Sequence, residues 1–155
     1  ARRLAKKYRK DGGVKLVVVD YIQLMQMPGT TENRTNELSD ISRALKYLAK
    51  EVSAPVIVLS QLNRLVEQRP NKRPRMSDLK DSGAIEQDAD LIFMLYRDYA
   101  YSEDEDYKNV VEVKLVKHRN GPTKDLLLSF RDELTRFGDL APEIMNSYAE
   151  NRTAD

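Results

Sequence analysis

The sequence predicts an α/β fold, a parallel sheet core with helical crossovers and a C-terminal antiparallel β-hairpin. Three features carry that expectation. Leu16-Val17-Val18-Val19 and Pro55-Val56-Ile57-Val58-Leu59 are short aliphatic runs, each closed by polar residues, Asp20 in the first case and Ser60-Gln61 in the second. Between them lies a segment of helical period. Near the C-terminal end, strand-like runs flank Asn120-Gly121, a pair suited to tight hairpins.

Each element follows from its local pattern. The basic residues of 1–10 followed by Asp11-Gly12-Gly13 predict a helix and its stop. Residues 14–19 form a run that is aliphatic apart from Lys15 rather than alternating, which predicts a strand buried on both faces. Met27-Pro28-Gly29-Thr30-Thr31 reads as a loop. From Thr35 to Val52, Leu38, Ile41, Leu45, Leu48 and Val52 recur at helical spacing, opposed by Glu37, Asp40, Arg43, Lys46, Lys50 and Glu51, with Asn33 or Thr35 as the cap. Residues 56–59 predict a second buried strand. A right-handed crossover makes the two strands parallel and sets Asp20 and Gln61 on one edge, where open α/β sheets bind ligands.

Arg64 to Ser77, with Arg64, Arg69, Lys72, Arg73, Arg75, Pro70 and Pro74, predicts a mobile basic loop. Ser82 to Gln87 predicts a short helix capped by Ser82, and Leu91 to Tyr96 a third buried strand. Ser102-Glu103-Asp104-Glu105-Asp106 reads as a solvated turn. Val110–Val116 and Leu126–Phe130 form the hairpin around His118-Arg119-Asn120-Gly121-Pro122-Thr123. Beyond Phe137-Gly138 the pattern fades, so the expectation is a folded domain over 1–138 and a weakly ordered tail over 139–155.

Composition narrows the function classes. A chain of 155 residues, 41% hydrophobic and 33% charged, suits one globular domain. Twenty-six Lys and Arg against 25 Asp and Glu leave a net charge of +1, so any nucleic-acid footprint must be local. The lack of cysteine excludes disulfides and thiolate metal sites, and no apolar run approaches the roughly 20 residues of a membrane helix. No secretion signal is recognisable. The expectation is a cytoplasmic protein with no membrane partner.

Asp20, at the end of a predicted buried strand, suits a water-coordinated Mg²⁺ beside nucleotide phosphates, though a turn aspartate has the same pattern. Gln61 offers a donor and an acceptor to a terminal phosphate or attacking water, and equally to a loop–loop tie. Lys117 and Arg119, two apart, face one way if they continue the strand, and can neutralise charge on a transferring phosphate or simply decorate an exposed turn. In Lys80-Asp81-Ser82-Gly83 the glycine lets backbone amides approach a nucleic-acid phosphate. The single His118 has no companion for a nucleophilic triad or a zinc site. No G-x-x-x-x-G-K-[ST] occurs, so the triphosphate cradle is absent from this sequence.

Five blocks in register, LVVVDYIQLM (16–25), NRTNELSDISRALKYLAKE (33–51), VIVLSQLNR (56–64), DLKDSGAIEQDADLIFMLYRD (78–98) and KHRNGP (117–122), closely resemble DnaB-type replicative DNA helicases over residues 1 to about 138. The resemblance implies the carboxyl-terminal part of a RecA-like motor domain, downstream of the Walker A loop and the catalytic glutamate. It implies an ATP- and Mg²⁺-dependent homohexamer that moves 5′ to 3′ along single-stranded DNA and works with a primase and a helicase loader. By the same resemblance Asp20 is the Walker B aspartate that holds Mg²⁺ through water, and Gln61 the γ-phosphate sensor. Lys117 and Arg119 are the hairpin residues reaching a neighbouring subunit's nucleotide, and Lys80, Asp81 and Gly83 hold the single-stranded DNA backbone.

The family commonly has Arg-Glu at Lys80-Asp81, glutamine at His118 and glycine at Lys124; these departures suggest a divergent or phage-encoded relative. Two other readings remain open at this point. One is a non-enzymatic DNA-binding module. The other is a RecA-like ATPase of a recombination or circadian-clock branch, which would lack the blocks at 78–98 and 117–122.

Overall fold

A computed structural model describes residues 13–27, 33–79 and 83–152 of the chain. The helix expected over residues 1–10, most of the loop at 27–31, Lys80, Asp81 and the Ser82 cap lie outside the described residues. The chain divides into two compact units, Ala1–Ala89 and Asp90–Asp155.

The first unit is a β–helix–β crossover. Strand β1 (Val17–Val19) and strand β2 (Val56–Val58) pair in parallel, Val17 with Val56 and Val19 with Val58. Helix α1 (Arg34–Val52) connects them and begins where Asn33 Oδ1 accepts the Thr35 N–H at 2.9 Å. It ends at Ser53, whose φ of 51° places it in the left-handed region; the Ala54 N–H reaches back to the Ala49 carbonyl at 3.2 Å. The apolar stripe read from the sequence is the core: Leu38, Ile41, Leu45 and Leu48 pack with Ile22, against which Val19, Val56, Val58 and Ile85 lie. Ile85 belongs to the short helix α2 (Gly83–Asp88).

The strands differ from expectation in one respect. Val19, Val56 and Val58 pack against the helix core, but Val18 and Ile57 are 57% and 50% exposed. Helix α1 covers one face only among the described residues. The basic segment 64–77 also differs: it forms helical turns at Arg64–Gln68 and Met76–Asp78 rather than a loose loop. Arg69 closes it by donating twice to the Asp78 carboxylate, at 3.0 and 2.8 Å, while the Arg75 N–H donates to the same group at 2.7 Å. A buried carboxylate with three charge-assisted or backbone donors is enough to order a segment with few apolar residues.

The second unit is an antiparallel sheet in the order β3 (Leu91–Tyr96), β4 (Val110–His118), β5 (Lys124–Arg131), β6 (Arg136–Gly138). Strand β3, expected to be buried on both faces, alternates instead: Ile92, Met94 and Tyr96 are buried while Leu91, Phe93 and Leu95 are exposed. The hairpin is longer than its aliphatic runs suggested, and β4 carries an irregularity where the register shifts between Ile92 and Phe93. The acidic turn is closed locally, with Asp104 capping Glu105–Tyr107 through the Asp106 N–H.

Residues 142–152, read from the sequence as a weakly ordered tail, form helix α3 (Pro142–Arg152). Tyr148 is buried with Val110 and Leu140, and its hydroxyl donates to the buried Glu112 carboxylate at 2.8 Å. Leu140, Ile144 and Tyr148 recur every four residues, and this short stripe was the signal the sequence offered.

Candidate functional site

Parallel pairing puts the carboxyl ends of β1 and β2 on one edge. The Leu59 N–H donates to the Val19 carbonyl at 2.9 Å, and the Ile22 N–H to the Leu59 carbonyl at 3.0 Å. Asp20 follows Val19 and is exposed; Gln61 follows Ser60 and is exposed. The geometric expectation that the two share an edge is therefore met.

Gln23, three residues after Asp20 in the single helical turn Ile22–Leu24, reaches the end of β2. Its Nε2 donates to Ser60 Oγ at 3.0 Å and its Oε1 accepts the Gln61 N–H at 3.2 Å. Its own carbonyl accepts from Arg34 Nη2 at 2.7 Å, and Arg34 is ion-paired with Glu37. The Met27 N–H donates to Glu37 Oε1 at 2.8 Å. That backbone donor first, and Arg34 second, hold the Glu37 carboxyl below the usual carboxylate range. Sequence reasoning missed Gln23 as a contributor, although a polar side chain inside Tyr21-Ile22-Gln23-Leu24-Met25 was the available signal.

After Gln61 the chain turns back: Leu62 bridges to Leu79 and the Asn63 N–H donates to the Asp78 carbonyl at 2.7 Å. The segment after Gln61 is thus pinned to the residue preceding Lys80. Lys80 and Asp81 themselves lie outside the described residues, and Gly83 opens helix α2 with open space where a Cβ would be.

In the second unit, Lys117 pairs with Ile92 near the end of β4, and Arg119 lies beyond the strand in the turn. Arg119 donates its backbone N–H to the Asp90 carbonyl at 2.9 Å, while its Nε stands 3.0 Å from Asp90 Oδ1, both side chains about half exposed. Asp90 was not foreseen from the sequence. His118 packs over the turn: its Nδ1 is 3.1 Å from the Pro122 carbonyl oxygen, and a Cβ on Gly121 would meet its ring at 2.5 Å. A side chain at 121 would therefore have to displace the His118 ring, so the two residues together shape the tip.

Among the described residues no three His, Asp or Glu gather into a metal cage. A single exposed carboxylate at Asp20 suits an ion that keeps most of its waters, as Mg²⁺ does, so the donor set fits Mg²⁺ held through water. A shallow cavity of about 220 Å³ in the second unit, lined by Leu95, Tyr96, Arg97, Val111, Phe130 and Phe137, is mainly apolar and holds no anion-binding set.

Comparison with known proteins gives one consistent answer. The family model described as DnaB-like helicase C terminal domain matches residues 1–139. The chain is 52% identical over 141 residues to the replicative DNA helicase DnaB of Pasteurella multocida, covering 91% of this chain and 30% of that protein. It is 48% identical over 140 residues to the DnaB of Geobacillus stearothermophilus, covering 90% and 31%. A solved DnaB-like replicative helicase, from a structure describing its interactions with primase, superposes with a TM-score of 0.81 at 45% identity, over 89% of this chain and 35% of that one. A second solved structure, described as an ATPase domain, gives 0.83 at 45% identity, over 90% and 50%. The chain thus spans about a third of the length of the curated relatives it matches.

Proposed function

Since the chain belongs to the DnaB-like helicase C-terminal domain family, we propose that it forms the nucleotide-sensing and DNA-gripping part of an ATP-driven replicative helicase motor. In this reading the motor is a homohexamer that moves on single-stranded DNA and meets a primase and a helicase loader. The observation that carries the proposal is the shared edge, with Asp20 and Gln61 following two strands paired Val19 to Val58. Mg²⁺ bound with ATP would neutralise phosphate charge during hydrolysis.

The residues of this chain divide the work. Asp20 orients the waters of the metal; Gln61, with both donor and acceptor on its amide, orients the terminal phosphate or attacking water. Lys117 and Arg119 lend positive charge to a nucleotide in a neighbouring subunit, and the Arg119 guanidinium exchanges the Asp90 carboxylate for phosphate oxygens. An exposed ion pair costs under about 1 kcal/mol to open, so Asp90 is a holder that gives way readily. Lys80, Asp81 and Gly83 hold the DNA backbone.

The deciding experiment uses a helicase of the relatives' full length in which this chain supplies the matching segment. Arg119→Ala is expected to lower ATP hydrolysis by about a thousandfold, as for arginine fingers acting in trans. Unchanged turnover would mean that the hairpin is decorative and that Arg119 is no finger in trans. Lys80→Ala in the same protein is expected to weaken single-strand binding and to reduce the slope of log affinity against log salt by about one or less. Unaltered affinity and slope would take Lys80 off the DNA.

A further inference from the structure

We propose that Gln23 is the positioning residue that sets where Gln61 stands relative to Asp20. The proposal rests on the reading of those two residues given above. Gln23 lies three positions beyond Asp20 on the turn that follows β1, and both of its side-chain bonds go to the end of β2. One amide uses its donor on Ser60 Oγ and its acceptor on the Gln61 N–H at once. Flipping that amide would set its NH₂ against the Gln61 N–H, so a single orientation is selected.

The turn carrying this amide is itself anchored. Ile22 is 1% exposed in the core, and Arg34 at the start of α1 donates to the Gln23 carbonyl. The ladder bonds between β1 and β2 reach Leu59 and hold the strands in register. Beyond Leu59, the bonds from Gln23 are what tie Ser60 and Gln61 to the turn after Asp20. A catalytic amide displaced by even about 1 Å loses much of its effect, so a fixed spacing matters to the step Gln61 serves.

The test uses the full-length helicase carrying this chain. Gln23→Leu removes both side-chain bonds at nearly constant volume. It is expected to lower kcat for ATP hydrolysis about tenfold while KM for ATP stays within about twofold. The Gln61 backbone amide should exchange its hydrogen faster in this variant. Gln23→Glu keeps an acceptor for the Gln61 N–H and lets the Ser60 hydroxyl donate, so it should recover part of the loss.

Gln61→Ala is measured alongside, and because Gln23 acts through Gln61, the double variant should be no slower than Gln61→Ala alone. If Gln61→Ala slows turnover but Gln23→Leu does not, or if the two losses multiply, the positioning role is wrong while the reading of Gln61 stands. If Gln61→Ala leaves turnover intact, the site reading fails and the positioning role falls with it. Should Gln23→Leu not fold, Ser60→Ala removes one bond alone and must lower kcat to a smaller degree; an unchanged kcat overturns the proposal.

Discussion

Arg97 shows how one side chain can organise its surroundings without touching the chemistry. It donates through Nε and Nη2 to the Lys108 carbonyl at 3.0 and 2.9 Å, and through Nη2 to Asp132 at 2.9 Å, while its guanidinium lies over the Tyr99 and Phe130 rings. The Arg97 hydrogen bond holds the Asp132 carboxyl below the usual carboxylate range. A carboxyl that resists protonation only when folded binds fewer protons in the native state. Its stabilising contribution is therefore complete above the ordinary carboxylate pKa and is lost as pH falls below it, through the depressed native value. Asp132→Asn is accordingly expected to lower the urea midpoint at neutral pH and to flatten its decline below about pH 4, measured by fluorescence-detected unfolding. An acid limb identical to the parent's would show that the pair contributes nothing.

Helix α1 is the element on which the first unit depends, and both of its ends are legible in local chemistry. Asn33 satisfies an N–H of the first turn, as the sequence suggested. Ser53 closes the other end with a positive φ, which costs a residue with a Cβ more than it costs glycine. Ser53→Gly should raise stability by about 0.5–1 kcal/mol, read as a shift in denaturation midpoint with an unchanged m-value. A destabilised variant would mean that chain entropy outweighs relief at this cap. The segment 64–78 behaves differently, because its order is gathered on the Asp78 carboxylate and its donors Arg69 and the Arg75 N–H. Arg69→Ala strips the buried Asp78 of its bidentate partner and should cost about 1–3 kcal/mol, with faster amide exchange confined to residues 63–79.

Over the whole molecule, apolar surface is unevenly covered. Val18 and Ile57 on the parallel pair, and Leu91, Phe93 and Leu95 on the antiparallel sheet, are each between 46% and 58% exposed. Contiguous apolar faces of this kind mark interaction surfaces, and the chain matches only half of the solved ATPase domain it superposes on. The isolated 155-residue chain is expected to self-associate as its concentration rises, and Ile57→Lys combined with Phe93→Lys to suppress this in sedimentation velocity. Monomeric behaviour of the parent at high concentration would show that these faces are tolerated in water.

Local pattern was enough for the long amphipathic helix, the two aliphatic strands and the Asn-Gly hairpin, because their periodicity and turn residues act over a few positions. Parallel pairing then followed from the crossover, and with it the common edge of Asp20 and Gln61. Which faces are covered did not follow: an aliphatic run looks the same whether one side or both are packed, and Val18 and Leu95 are exposed. Nor did the braces, since each joins residues far apart in sequence. Gln23 meets Ser60 across 37 positions and Tyr148 meets Glu112 across 36. Hydrogen bonds at such separations depend on where packing brings the backbone, and only the folded chain decides that.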